Sequence, residues 1–273
     1  MKNRYLKFIF YLFFLSIISI SCKPQNKTVL SSDFSNNINS VWNKQEASSD
    51  RIQLVYDKEL QKKVLKVTVV PGDMVVNHNR AELNLVDDSI VGLGDRIYSW
   101  KFKVPTDSLE PFTEGKWRII GQWHDKPDKG MSWDEFDKKT GGIHPPPIAI
   151  ELFQKNNTWV IGIRYGLQYG KERNNEQNRK IVATGEIKSN EWNSIEVHIH
   201  WSQSNDGAIE AKLNDEVITP FNGTNHLVYG RNLFNNVPCA FKLGIYRAFG
   251  FKTPDTIYYS DVKIEKTDKK ALY

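Results

Sequence analysis

Along most of the chain, apolar and polar residues alternate one by one, and that period of two marks a half-buried β-strand. Leu65-Lys-Val-Thr-Val-Val, Arg80-Ala-Glu-Leu-Asn-Leu, Tyr98-Ser-Trp-Lys-Phe-Lys-Val and Trp117-Arg-Ile-Ile-Gly-Gln-Trp-His carry the pattern in the first half. Ile148–Phe153, Trp159–Tyr165, Ser194–Trp201, Ile209–Leu213, Ala240–Tyr246 and Ile257–Ile264 continue it between clusters of Asn, Asp, Gly and Pro. No long stretch shows an apolar period of 3.6. Short strands with polar turns predict an all-β fold, a two-sheet antiparallel jelly-roll sandwich of the concanavalin A-like kind. Two long polar loops, 126–147 and 168–181, interrupt the pattern, and such loops on a rigid sandwich are where binding functions gather.

The N-terminus reads differently. Lys2, Arg4 and Lys7 precede an apolar run, Phe8–Ile20, that is short for a membrane span, so residues 1–21 are expected to be an export signal. Ser21-Cys22 ends that run as a bacterial lipoprotein signal ends, which makes Cys22 the expected lipid-bearing residue. Residues 22–40, rich in Lys, Asn and Ser, are expected to tether one domain spanning 41–273. The expectation is an exported monomer, held at the outer membrane or cell surface or in the periplasm, touching membrane only through its anchor. Removing residues 1–21 takes away three positive charges and no acids, so the net charge falls from +5 to +2. A charge of that size gives no ground for nucleic-acid binding. Cys239 then has no disulfide partner and is expected to be a buried small hydrophobe.

Three strands carry polar faces of unusual chemistry. Alternation puts Arg80, Glu82 and Asn84 on one face, Gln122 and His124 on a second, and Lys242 and Tyr246 on a third with Gly244 between them. Gly244 is expected to leave a gap for a ligand. Brought onto one sheet, this donor set suits removal of a proton from a carbon next to a carboxylate, as in a sugar uronate. Such a site must neutralise the carboxylate and hold the doubly charged intermediate with preorganised donors. Arg80 and Gln122 fit that role, Arg through a bidentate pair. Tyr246 becomes a base only if Arg80 and Lys242 favour its phenolate, and His124 can take the proton or assist. His78 shares the parity of Arg80 and, with Glu82 and Asn84, is a substrate-contact candidate. Arg164, Tyr165, Tyr169, Lys171 and Arg173 gather where a strand enters the second loop and are candidates for a wall against an anionic sugar chain.

These motifs, together with Pro145-Pro-Pro-Ile-Ala-Ile, Val197-His-Ile-His-Trp201-Ser and Lys242-Leu-Gly-Ile-Tyr246-Arg247, resemble those of jelly-roll polysaccharide lyases, over roughly residues 60–265. The resemblance is to the heparin lyase I and glucuronan lyase group, and more distantly to alginate lyases. It implies β-elimination on an acidic polysaccharide (glucuronan, ulvan, a heparan-type glycan or alginate). It implies Tyr246 as catalytic acid and base, His124 as base or helper, Arg80 and Gln122 as carboxylate neutralisers, and Lys242 as modulator or substrate contact. Arg247 belongs to the same motif and is placed with the substrate contacts. The arginine that follows the catalytic histidine in heparin lyases is absent, since Asp125-Lys-Pro-Asp-Lys129 stands there. No cofactor is required, no dense acidic loop marks a calcium site, and His198 with His200 lack an evident third metal ligand. His144, before three prolines, reads as a turn residue. Two rival readings use the same fold: a carbohydrate-binding lipoprotein without catalysis, and a glycoside hydrolase, for which Glu82 and Glu151 are the available carboxylate pair.

Overall fold

β-Branched and aromatic residues alternating with polar ones give sixteen strands in a computed structural model that describes residues 26–111, 116–142, 145–168, 179–223 and 226–267. In chain order these begin with β1 (Lys27–Ser32), β2 (Asn43–Gln45), β3 (Ile52–Asp57), β4 (Lys62–Val69), β5 (Asn79–Leu85) and β6 (Asp95–Lys103). Then come β7 (Arg118–His124), β8 (Ile148–Lys155), β9 (Thr158–Tyr165), β10 (Lys180–Glu186) and β11 (Trp192–His200). The last are β12 (Ala208–Leu213), β13 (Glu216–Val217), β14 (Val228–Tyr229), β15 (Ala240–Arg247) and β16 (Asp255–Lys266). One sheet runs β13-β12-β11-β6-β16-β4-β3, with β1 on β16 and β14 on β12; the other runs β10-β9-β8-β7-β15-β5-β2. Neighbours are antiparallel, as in β5 with β15 and β6 with β16. The expected jelly-roll sandwich is the fold that forms.

The inner faces meet through large aromatics. Trp123 of the second sheet packs on Tyr98 at 5.0 Å and Trp100 at 6.2 Å from the first, and stacks on Phe241 at 5.1 Å. The outer faces differ. β11 alternates strictly between buried and half-buried residues, as a solvent-washed strand does. β5, β7 and β15 are buried on nearly every residue, polar ones included. Something covers the outer face of the second sheet, and part of the cover is the loop of residues 126–142, which holds a helix, α1 (Trp133–Thr140). Ser132 and Glu135 form a capping box at its start and Gly141 closes it with φ 77°. The sequence reading leaves this segment as loop, because eight residues are too few to display a helical period.

A second departure lies at the N-terminus. Of the segment expected as a tether, residues 27–32 form β1 against β16, and Leu30 and Phe34 are buried in the core. The apolar positions of Lys27-Thr-Val-Leu-Ser-Ser are too few for a pattern, but the open edge of β16 supplies the missing partner.

One end of the sandwich is locked by a buried charge cluster. Asp255 accepts from Arg118 at 2.6 and 3.1 Å and pairs with Arg247 at 3.0 Å, all three fully buried. Arg247 also donates to Asn79 Oδ1 at 2.6 Å, which ties the start of β5 to the end of β15. Phe251 lies over both guanidiniums, at 4.7 and 5.1 Å.

Candidate active site

The covered face of the second sheet is a groove of about 1530 Å³, floored by β5, β15, β7, β8 and β9 and walled by loop residues from Val76 and from Lys126 to Pro146. Strand register sets its layout. Tyr246 lies beside Arg80 on one side and Ile119 on the other, and Ile119 pairs with Glu151. Lys242 lies between Asn84 and Gln122, and Ala240 beside His124. At about 3.3 Å per residue, the backbones of Tyr246 and His124 stand roughly 15–20 Å apart along the strands, so their side chains enter the groove from opposite ends.

At the first end, the Tyr246 hydroxyl and His78 Nδ1 are 3.1 Å apart, with the rings edge to face at 5.2 Å. The Arg80 guanidinium lies 4.2 Å above the Tyr246 ring, and Trp117 packs on its edge at 4.4 Å. Burial pushes the Tyr246 phenol above its ordinary pKa, and Arg80 only partly offsets it. Burial, helped by Arg80 and Lys242, pushes His78 below the ordinary histidine range. Burial thus favours the neutral form of both, and in the tautomer that carries its proton on Nε2 His78 accepts from the Tyr246 hydroxyl. Desolvation is a larger effect on Tyr246 than the Arg80 charge that would favour its phenolate. Lys242, four residues away, is not a neighbour of the hydroxyl.

His78 is held by a tight turn. Val75 and His78 exchange backbone hydrogen bonds at 2.8 and 3.1 Å, and the two residues between them, Val76 and Asn77, take φ of 46° and 59°. Asn tolerates the left-handed region; a β-branched Val does not, and Val76 is also 73% exposed at the groove rim. The turn stores backbone strain beside the hydrogen-bonded histidine. Its far side is anchored by Asn79, which donates to the carbonyls of Val70 and Asp73.

In the middle, Lys242 Nζ reaches Gln45 Oε1 at 3.3 Å, and burial lowers its pKa against the pull of Glu82. Glu82 is 1% exposed, accepts from Gln122 Nε2 at 2.5 Å and lies 3.5 Å from Arg80. At the other end, His124 Nδ1 sits 2.9 Å from Asp125 Oδ1 and 3.0 Å from the Asp125 carbonyl. Both of these neighbours are acceptors, so Nδ1 carries the proton in that contact. Trp133, half exposed, presents its ring edge to His124 at 6.1 Å and is backed by Phe136 at 5.9 Å. Along the side, Arg164 grips Glu151 through two bonds of 2.5 and 3.0 Å, and Arg179 donates to the Pro146 carbonyl at 2.7 Å. Burial, with Arg164 close by, brings Arg179 down to about 10.

The structure thus gathers Arg80, His124, Lys242, Tyr246, His78, Asn84 and Arg164 around one groove. Others fall elsewhere. Gln122 and Glu82 share the groove face of the sheet but are buried and bonded to each other, and neither lines the groove. Arg247 belongs to the buried Asp255 cluster. Tyr165 is in the core, its hydroxyl donating to Gly230 O at 2.7 Å and accepting from Asn232. Gly244 leaves no gap: with φ 150° it bends where β15 loses register, and a Cβ there would meet Ala81 O at 2.3 Å. Tyr169, Lys171, Arg173, His144 and Cys22 lie outside the described residues. His198 and His200 each sit 2.9 Å from a carboxylate, Glu196 and Asp95. Sequence reasoning missed Gln45, Trp117, Asp125, Trp133 and Arg179. Of these, only Trp133 carried a local signal, the Ser-x-x-Glu box around it.

The polysaccharide lyase family profile matches residues 34–263. No curated protein matches in sequence. Among solved structures, endo-β-1,4-glucuronan lyase from the fungus Trichoderma reesei aligns over 88% of this chain and 96% of its own, with TM-score 0.58 and 14% identity. Alginate lyase Aly36B aligns over 89% and 97%, with TM-score 0.53 and 12% identity. The catalytic domain of a glycoside hydrolase family 131 protein from Coprinopsis cinerea aligns over 81% and 79%, with TM-score 0.51 and 13% identity, so likeness of fold alone leaves the chemistry open. The profile match spans most of the chain, and on that ground the protein belongs to the polysaccharide lyase family.

Proposed function

We propose that the protein cleaves a uronic-acid-containing polysaccharide by β-elimination in this groove, with Tyr246 moving the proton and His78 serving as its relay. The observation that carries the reading is the Tyr246–His78 hydrogen bond beside Arg80, with cations nearby that lack a carboxylate of their own. Among the described residues, Lys242 and Arg179 have no carboxylate within ion-pair distance, and Arg80 is 3.5 Å from its only one. A uronate carboxylate supplies the missing charge. Held there, it acidifies the C5 proton and its cationic surroundings stabilise the intermediate.

Protons and electrons balance as follows. The phenol oxygen of Tyr246 takes the C5 proton as His78 accepts the phenol's own. The C5–H pair becomes the C4–C5 double bond, and the C4–O pair leaves with the oxygen. Tyr246 gives that oxygen its new proton, and His78 returns the one it held. Nε2 of His124, at the opposite end, contacts the chain there or acts as base on a sugar whose C5 proton faces that way. Glucuronan and alginate, which the two lyases of similar fold are named for, are both candidate substrates. Cys22, lipidated after export, would present the groove to polymer outside the cytoplasm.

Two features weigh against hydrolysis. Glu82 and Glu151 are each already held by an arginine, and Glu82 is buried and does not line the groove. The test is ultraviolet absorbance of unsaturated uronate while the protein is incubated with glucuronan, ulvan, heparan-type glycans and alginate, beside Tyr246→Phe. A rise with one polymer that the variant abolishes is expected. Binding without any rise would favour the non-catalytic reading.

A further inference from the structure

The outer face of the first sheet, remote from the groove, carries a second cleft of about 530 Å³. Three of its lining residues belong to one row of side chains that continues past it to Trp192: register aligns Lys66 of β4 with Tyr258 of β16, Tyr258 with Lys103 of β6, and Lys103 with Trp192 of β11. All four are half-buried while their strand neighbours Val67, Ile257, Phe102 and Asn193 are buried, so the row points outward. It spans three inter-strand steps of about 4.8 Å, roughly 14 Å in all. The end of β3 and the turn after it form one bank, with Tyr56 60% exposed and Lys58 at the rim.

The chemistry of this row is not that of a plain solvent face. Lys103 is neutralised by Asp57 at 3.0 Å and Glu59 at 3.2 Å and lies over the Trp192 ring at 5.3 Å. Lys58 and Lys66 have no carboxylate partner among the described residues, yet both line the cleft with the two tyrosines. Ammonium groups without a carboxylate partner, beside the exposed Tyr56 and half-buried Tyr258 rings, suit a ligand that is flat, hydroxylated and anionic at intervals. We infer that this cleft is a second binding site for acidic polysaccharide, with sugar rings on Tyr56 and Tyr258 and carboxylates on Lys58 and Lys66.

The inference rests on the reading of the groove as a uronate lyase site and adds a site on the other sheet. A polymer long enough to reach both sheets is held at a high effective concentration near the groove; a short oligosaccharide occupies the groove alone. The experiment compares the exported full-length protein with Tyr56→Ala/Lys58→Ala/Lys66→Ala, on polymer and on a tetrasaccharide of the same uronate. The triple variant should raise KM for the polymer at least about five-fold while leaving kcat and the tetrasaccharide KM unchanged. An unchanged polymer KM overturns the second site. Binding of polymer to the Tyr246→Phe protein, with and without the triple substitution, is read by calorimetry and decides the matter independently of turnover: two classes of site falling to one supports it, and one class in both refutes it. Failure of the lyase reading shows separately, as wild-type protein that yields no unsaturated product.

Discussion

Replacing His78 tests the proposed chemistry most directly. Its imidazole is 3.1 Å from the Tyr246 hydroxyl, and burial with Arg80 and Lys242 favours the neutral form that can accept that proton. His78→Gln keeps a carbonyl that can accept a hydrogen bond but cannot carry the proton away. If relay is the role, kcat falls by roughly 10²–10⁴-fold, the range for a positioned acid–base group, while KM changes little. If His78 only positions the ring, Gln replaces it and kcat stays within about five-fold, since one net hydrogen bond is worth about 1 kcal/mol. The pH profile adds a second reading. Protonated His78 cannot accept from Tyr246, so activity is lost on the acid side through the folded-state pKa of His78, which lies below 6.5. Lys242→Met removes one of the charges that depress it and should move the acid limb upward. The same shift acts on stability: unfolded histidine binds protons more readily than His78 does, so this contribution is present above 6.5 and is lost as pH falls below it. A full-rate His78→Gln enzyme with an unchanged acid limb would refute the relay.

Three further outcomes are expected. Gly244→Ala drives a Cβ to 2.3 Å from Ala81 O at a φ of 150°, and should lower unfolding free energy in urea by about 3 kcal/mol or more; a loss under about 1 kcal/mol would mean the bend is not required. Asp255→Asn leaves Arg118 and Arg247 buried without their carboxylate and should cost about 3–5 kcal/mol by the same assay, against little change for Asp50→Asn on the surface. Val76→Gly relieves the left-handed valine and should raise stability by about 1 kcal/mol, while kcat drops because His78 is held less firmly; a variant both more stable and equally fast would separate the turn from catalysis.

The sandwich was legible because its strands keep a strict period of two. The parity rule also placed Arg80, Asn84, His124, Lys242 and Tyr246 on the face that forms the groove. Applied consistently it separates Arg247 from Tyr246 and Tyr165 from Arg164, since adjacent residues point to opposite faces, and the structure has them so. What parity could not convey is depth. Glu82 shares a face with Arg80 yet is buried against Gln122. Nor does parity foresee slips in register: between Ile119 and Gly121 the pairing of β7 with β8 shifts, which lets Ile119 line the groove along with His124. Arg179 and Asp125 sit at strand ends, where no period exists to read, while Trp133 opens an eight-residue helix and Gln45 lies on a three-residue edge strand, both too short to show one.

The contrast between the two cation sets has a consequence for ionic strength. Lys242 is only 8% exposed, and mobile ions at about 0.15 M screen charges over roughly 8 Å of water but reach little into a closed floor. Substrate held at Lys242 therefore stays bound as salt rises toward seawater or brine. Lys58 is exposed and Lys66 half-buried on the outer face, and their hold weakens as counterions compete. In concentrated salt the protein keeps its chemistry and loses its second grip, so turnover of long and short chains converges.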